Sequence, residues 1–240
     1  MATCGASRRH RSGRARVPVR ACFTRRVTGR SLGVVGLYDE QVLPRVTNVL
    51  LGTKAFGKQI RAGACAGLHG DVLELGFGSG LNVPYYPAEV AGVWTVEPSS
   101  VALKLAHARI DASAVEVHEG ALDGARLDFP DARFDAALST MTLCTIPDID
   151  GALAEVRRVL KPGAALHFAE HGIAPDDKVA RFQHRFDPWQ MRFAGGCHLA
   201  RDMRALLTAA GFEIDELETR FIKGPKAWSY MYLGRARKAA

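Results

Sequence analysis

Asp71-Val72-Leu73-Glu74-Leu75-Gly76-Phe77-Gly78-Ser79-Gly80-Leu81-Asn82 decides the fold, because an apolar run passes there straight into three alternating glycines. Val72, Leu73 and Leu75 read as a short buried strand, and Gly76, Gly78 and Gly80 as the turn leaving its carboxyl end. A Cβ in such a turn would block both positive φ values and the close approach of a ligand to the backbone. The stretch is therefore expected to cradle a cofactor. A dinucleotide fingerprint spaces its glycines GxGxxG; here the third glycine comes one residue early and Leu81 stands in the expected place. Roughly 20 residues on, where such folds carry an acid for the ribose, the apolar run Val93 to Val96 ends in Glu97. That supports a nucleoside ligand without choosing its kind.

Outward from this stretch, strands and helices alternate. Ser99 and Ser100 can cap a helix whose apolar stripe is Ala102, Leu103, Leu105, Ala106 and Ile110. Val115 and Val117 alternate with Glu116 and His118 in a third strand, and Ala136 to Thr140 form a fourth. A helix from Asp148 to Leu160 is expected to stop at the turn Lys161-Pro162-Gly163, before a fifth strand, Ala165 to Ala169, that ends at Glu170-His171. Repeated strand-then-helix order demands a parallel sheet with helices on both faces. Ahead of it, Leu37 to Gln59 reads as two short helices around a turn, with Tyr38 and Asp39 of interest; the segment either lids the cofactor or covers a sheet edge. Beyond Pro175 an aromatic and arginine-rich stretch reads as a helical insertion. A helix Met203 to Ala210 and two late strands, Phe212 to Thr219 and Trp228 to Leu233, follow it. The expected division is a basic tail at 1–33, a helical segment at 34–68, and a domain at 69–240 with the insertion at about 175–200.

The chain has 240 residues and a formal net charge of +7. That charge is local: residues 1–30 hold nine arginines and no acid, and without them 23 basic residues face 25 acidic ones. Basic character confined to a tail argues against a nucleic-acid-binding fold. The tail reads as a transit peptide, an arm touching anionic lipid or nucleic acid, or a disordered or untranslated stretch; absence of any repeat at helical spacing favours the last. Five scattered cysteines with no CxxC pair predict no disulfide framework and no metal site. With no signal-like apolar segment and no membrane span, a reduced, cytoplasmic setting is expected.

LELGFGSG, VEP, FPDARFDAALSTMTLC and LKPGAALHFAEH together resemble the class I S-adenosylmethionine-dependent methyltransferases with a type 11 domain, over roughly residues 36 to 235. GLYDEQVLPR, STMTLC, EHG and GGCHLARD are similar to the small-molecule branch that includes thiol methyltransferases. The resemblance implies a Rossmann-like seven-stranded sheet, mostly parallel with one antiparallel strand. It implies S-adenosylmethionine as cofactor, held by Glu74, Gly76, Gly78, Gly80, Asn82, Glu97, Ala121, Leu122 and Thr140. Asp123 would meet the adenine amine, but Gly124-Ala125-Arg126 lengthens the loop after it. The acceptor is expected to be a small molecule such as a thiol, with quinones and phospholipid head groups as alternatives. An NAD(P) oxidoreductase is the rival of another class; the glycine spacing disfavours it, as does the lack of a Tyr followed four residues later by Lys.

Methyl transfer asks an enzyme mostly for alignment and a dry site. A thiol, with an ordinary pKa of about 8.5, needs little help losing its proton, whereas an amine or phenol would want a base in reach. Candidate catalytic residues are His171, Cys144 and His198, with Thr142, Glu170 and Cys197 near the expected methyl. Against each stands plain packing or capping. Phe182, Phe186, Trp189 and Phe193 read more readily as core than as a substrate wall.

Overall fold

The computed structural model describes Gly36 and residues 38–239. The basic tail lies outside the described residues, and so do the expectations placed on it. Strand β1 (Gly70–Leu75) is followed by β2 (Val90–Val96), β3 (Glu116–Ala121), β4 (Phe134–Thr140), β5 (Leu160–His171), β6 (Phe212–Phe221) and β7 (Tyr230–Lys238). They form one sheet in the order β3-β2-β1-β4-β5-β7-β6. The first five are parallel, and β7 runs antiparallel to both β5 and β6.

The helices are α1 (Leu43–Leu51), α2 (Lys54–Phe56), α3 (Ala62–Cys65), α4 (Ser100–Asp111), α5 (Ile149–Val159), α6 (Asp177–Phe193), α7 (Met203–Ala209) and α8 (Lys226–Ser229). Wider π turns at Tyr38–Val42 and Gly57–Arg61 join the first of these. The alternation of β1 sorts its side chains onto two faces. Leu73 and Leu75 enter a core with Leu153, Val156 and Val159 of α5, while Val72 packs with Ile60, Ala64 and Cys65 from the amino-terminal helical run. Glu74, also fully buried, falls on the second face by the same period. Among the described residues no helix is long and apolar enough to cross a membrane.

Several local expectations need correction. Lys161-Pro162-Gly163 lies inside β5 rather than before it. The β4–β5 register jumps from Phe134↔Leu160 to Ala136↔Ala165, so the two breakers form a wide bulge on the strand's entry, where Pro needs no ladder partner. Trp228 sits in α8, and β7 begins at Tyr230: extended Pro225 caps one helical turn before the strand.

Candidate active site

The parallel strands end together. Strand β1 pairs with β2 on one side and with β4 on the other, so the chain order reverses between β1 and β4, where open α/β sheets form their ligand crevice. Gly76, Glu97, Thr140 and His171 all stand at this carboxyl edge.

The three glycines differ in what requires them. All have positive φ, at 66°, 57° and 72°. A Cβ on Gly76 would lie 2.0 Å from Thr142 Oγ1, and one on Gly80 would press on Ala106, Phe77 and Val83 at 3.2–3.3 Å. On Gly78 it would meet nothing closer than Gly76 O at 3.8 Å. Gly76 and Gly80 are thus glycines for packing, while Gly78 leaves a bare backbone facing open space, the feature a closely approaching ligand needs.

Glu97 is tied to this turn. Its Oε2 accepts the Gly78 N–H at 2.7 Å and its Oε1 the Ser99 N–H at 2.8 Å. Burial raises its pKa and these two amides pull it back. Each oxygen retains a lone pair for a ligand hydroxyl. The Ala121 carbonyl accepts the Glu97 N–H, Leu122 exposes its side chain, and the Asp123 carboxylate closes a turn on Ala125 N–H. Above the glycines, Ser79 Oγ donates to Asn48 Oδ1 of α1 at 2.8 Å.

Beneath the turn lies a buried polar cluster. Asn82 Nδ2 donates to Glu74 Oε1 and to Thr140 Oγ1, both at 2.9 Å; Tyr86 donates to Glu74 Oε2. The cluster includes a residue that sequence reasoning missed. Arg61, only 5% exposed, donates from Nη1 to Asn82 Oδ1 at 2.7 Å and Thr140 Oγ1 at 3.0 Å. Its Nε–H has no hydrogen-bond partner among the described residues. Burial lowers the Arg61 pKa, opposed by nearby Glu74. Burial also pushes Glu74 up to about 7 against the hydrogen bonds of Tyr86 and Asn82. A buried carboxyl, a buried guanidinium and an unmet N–H suit a ligand carrying both charges, as the amino-acid end of S-adenosylmethionine does.

A second cluster caps β4 and β5. Met141 leaves β4 at φ 56°, a left-handed value unusual for a side chain of its size. Glu170, fully buried, holds the turn after it by accepting Ser139 Oγ at 2.8 Å and Thr142 N–H at 2.9–3.0 Å. His171 Nε2 lies 2.9 Å from Cys197 Sγ, itself 3.8 Å from Cys144 Sγ. Contact with Cys144 and the His171 ring takes the Cys197 thiol down to about 4, while Cys144 moves up. Burial, the largest single influence on His171, works against its protonation, but Cys197 together with the Glu170 and Asp187 carboxylates outweighs it and raises its pKa.

Two of the three proposed catalytic residues therefore meet, and the third does not. His198 Nδ1 pairs with Asp187 Oδ2 of α6 at 2.9 Å. The carboxylate also takes the amides of Leu199 and Ala200, so His198 serves to anchor α6. The aromatic set is likewise not core: Phe182, Trp189 and Phe193 are 46%, 61% and 55% exposed. Phe182, Phe186 and Trp189 line a surface cavity with Arg185, on the face of α6 away from buried Gln183.

Known proteins agree with this geometry. A family model described as a methyltransferase domain matches residues 73–168. The chain is 36% identical over 181 residues to 2-phytyl-1,4-naphtoquinone methyltransferase of Synechococcus elongatus, an alignment covering 70% of this chain and 77% of the relative. It is 28% identical to human thiol S-methyltransferase TMT1A, covering 80% of this chain and 76% of that one. Among solved structures, a SAM-dependent methyltransferase from Methanosarcina mazei superposes with a TM-score of 0.53 at 26% identity, over 70% of this chain and 92% of that one. Sheet order, glycine cradle and relatives converge: this chain belongs to the class I S-adenosylmethionine-dependent methyltransferases.

Proposed function

We propose that the chain methylates a small, largely apolar acceptor at a thiol sulfur. The observation that carries this reading is the state of the carboxylates at the acceptor end of the sheet. Glu170 is occupied by Ser139 and Thr142, and Asp187 by His198 and two amides. Neither is free to act as a strong base, and a thiol is the acceptor that needs one least. The likeness to human thiol S-methyltransferase TMT1A supports it.

In this reading Glu97 takes the ribose hydroxyls, the bare backbone at Gly78 lies against the nucleoside, and the backbone of Ala121 and Leu122 borders the adenine. Glu74 with Asn82 and Thr140 receives the ammonium end and Arg61 the carboxylate. When bound, S-adenosylmethionine supplies a methyl group on a sulfonium leaving group. Helix α1, fastened to the turn through Asn48 and Ser79, is the lid that keeps water out. The acceptor thiol, with an ordinary pKa of about 8.5, gives up its proton to solvent without a dedicated base. The free thiols of Cys65, Cys144 and Cys197 support a reducing, cytoplasmic setting.

A quinol acceptor is the second reading, favoured by the exposed aromatic stripe on α6 and the likeness to the naphthoquinone enzyme. A screen of radiolabelled methyl transfer to alkyl thiols, phenols, naphthoquinols and phosphatidylethanolamine separates them. Label in the thiol is the expected result; label in the quinol alone overturns the thiol assignment.

A further inference from the structure

Cys144, His171 and Cys197 stand far apart in the sequence and meet in space. Cys144 lies in the turn after β4, His171 is the last residue of β5, and Cys197 follows α6. All three are buried, and their ligand atoms lie within 4.8 Å of one another. From these positions we infer that the trio is a three-donor site for a thiophilic divalent cation of the zinc type.

Geometry is the first support. Bonds of about 2.3 Å to sulfur and 2.0 Å to nitrogen, at tetrahedral angles, separate two sulfurs by about 3.8 Å and sulfur from nitrogen by about 3.5 Å. The Cys144–Cys197 separation is 3.8 Å. His171 Nε2, at 2.9 Å from Cys197 Sγ and within 4.8 Å of Cys144 Sγ, needs to open by about 0.6 Å from the one sulfur and to settle about 3.5 Å from the other to reach the tetrahedral values.

The second support is the backbone, which holds the donors whether or not an ion is present. His198 N–H donates to Cys144 O at 2.8 Å, and Cys197 N–H to Ala194 O at 3.1 Å. Gly195 and Gly196, at φ 60° and 83°, turn the chain so that Cys197 comes back over β4. The Arg201 guanidinium clamps the Cys144 turn by donating to the carbonyls of Leu143 and Ile146. Donors fixed on rigid elements by a supporting layer of hydrogen bonds are what a metal site requires.

Charge and protons balance. A dication binding two thiols and a neutral imidazole releases two protons to solvent and leaves a site with no net charge, which suits its burial. Binding at Nε2 places the ring proton on Nδ1, an atom with no hydrogen-bond partner among the described residues. Three protein donors leave a fourth position for water or an exogenous sulfur. Binding of the ion does not depend on the acceptor; only occupation of the fourth position by a substrate thiolate rests on the thiol reading above.

The test uses the full chain, purified with a non-thiol reductant, loaded with zinc, desalted and analysed by elemental mass spectrometry. About one zinc per chain is expected, and cobalt in its place should give intense tetrahedral d–d bands with a thiolate charge-transfer band. Cys144→Ser, Cys197→Ser and His171→Gln should each lower zinc affinity by more than the roughly 10- to 100-fold that loss of an outer-shell partner costs. His171→Cys should retain the ion and shift the cobalt spectrum. Circular dichroism and cooperative unfolding check that each variant is folded. A folded wild-type chain without zinc or cobalt bands overturns the site, as do folded variants that bind zinc like the wild type. Facile oxidation to a Cys144–Cys197 disulfide in a chain that binds no metal would likewise overturn it and assign the pair to redox chemistry.

Discussion

Gly76 and Gly78 are separated only by Phe77, yet an added methyl group should act on them differently. Gly76→Ala drives a Cβ into Thr142 and should unfold the protein or cut its stability by several kcal/mol, on the order of an overpacked core. Gly78→Ala meets only open space; it should cost about 1–2 kcal/mol for a left-handed alanine while lowering affinity for S-adenosylhomocysteine. Thermal melts beside calorimetry read both, and equal losses of stability would refute the distinction. Glu74 predicts a pH effect. Its pKa of about 7 in the folded protein exceeds the roughly 4.3 of an unfolded glutamate. The folded state thus holds the extra proton, and stability falls as pH rises between these values and levels off above them. Glu74→Gln should remove that slope, and denaturant titrations at pH 5 and 8 with parallel losses in both proteins would contradict it. The glycines and Glu97 were readable because their roles are local in sequence. Arg61 was not: its partners Asn82 and Thr140 lie 21 and 79 residues away, and an arginine in a helical run looks like any solvated one. Spacing likewise hid the Cys144, His171 and Cys197 cluster.

Helix α5 shows how an element is fixed by its ends. Asp148 Oδ1 accepts the Gly151 N–H at 3.0 Å, and a Cβ at Gly151 would collide with that carboxylate. Asp148→Ala should therefore cost about 1 kcal/mol, measured by chemical denaturation. At the other end Arg158 gathers the preceding loop, donating to the carbonyls of Leu127 and Phe129 and to Asp131 and Glu155. Arg158 brings the Glu155 carboxyl down to about 2. Arg158→Ala should speed amide exchange at Leu127, whose N–H is held by Glu155; unchanged exchange would show the loop to be held by other contacts. Apolar period made α4 and α5 legible in advance, with Ser99 as the cap of α4; Asp148, expected as the first residue of α5, proves to be its cap. The entry of β5 and the start of β7 were not legible, because a bulge holding Pro162 and Gly163 and a single turn opened by Pro225 use the residues that ordinarily mark loops.

For the whole molecule, a parallel sheet could be anticipated because strand-helix alternation admits few topologies. The antiparallel strand came from family resemblance, since nothing in residues 230–238 alone dictates its neighbours. Ligand linkage gives a global test of the cradle. S-adenosylhomocysteine at about 100 times its dissociation constant should add about 2.7 kcal/mol, a rise of roughly 5–10 °C in melting temperature for a domain of this size. Glu97→Ala should abolish that shift, and an undiminished shift would remove Glu97 from the site. The placement of β7 between β5 and β6 bears on biosynthesis. Strand β6 leaves the ribosome before the strand it must pair with exists, and β5 stays unpaired along one side until residues 230–238 emerge. The nascent chain therefore waits with two open strand edges, a natural clientele for chaperones, and ribosome stalling within that last segment would release a species prone to stick to its own kind.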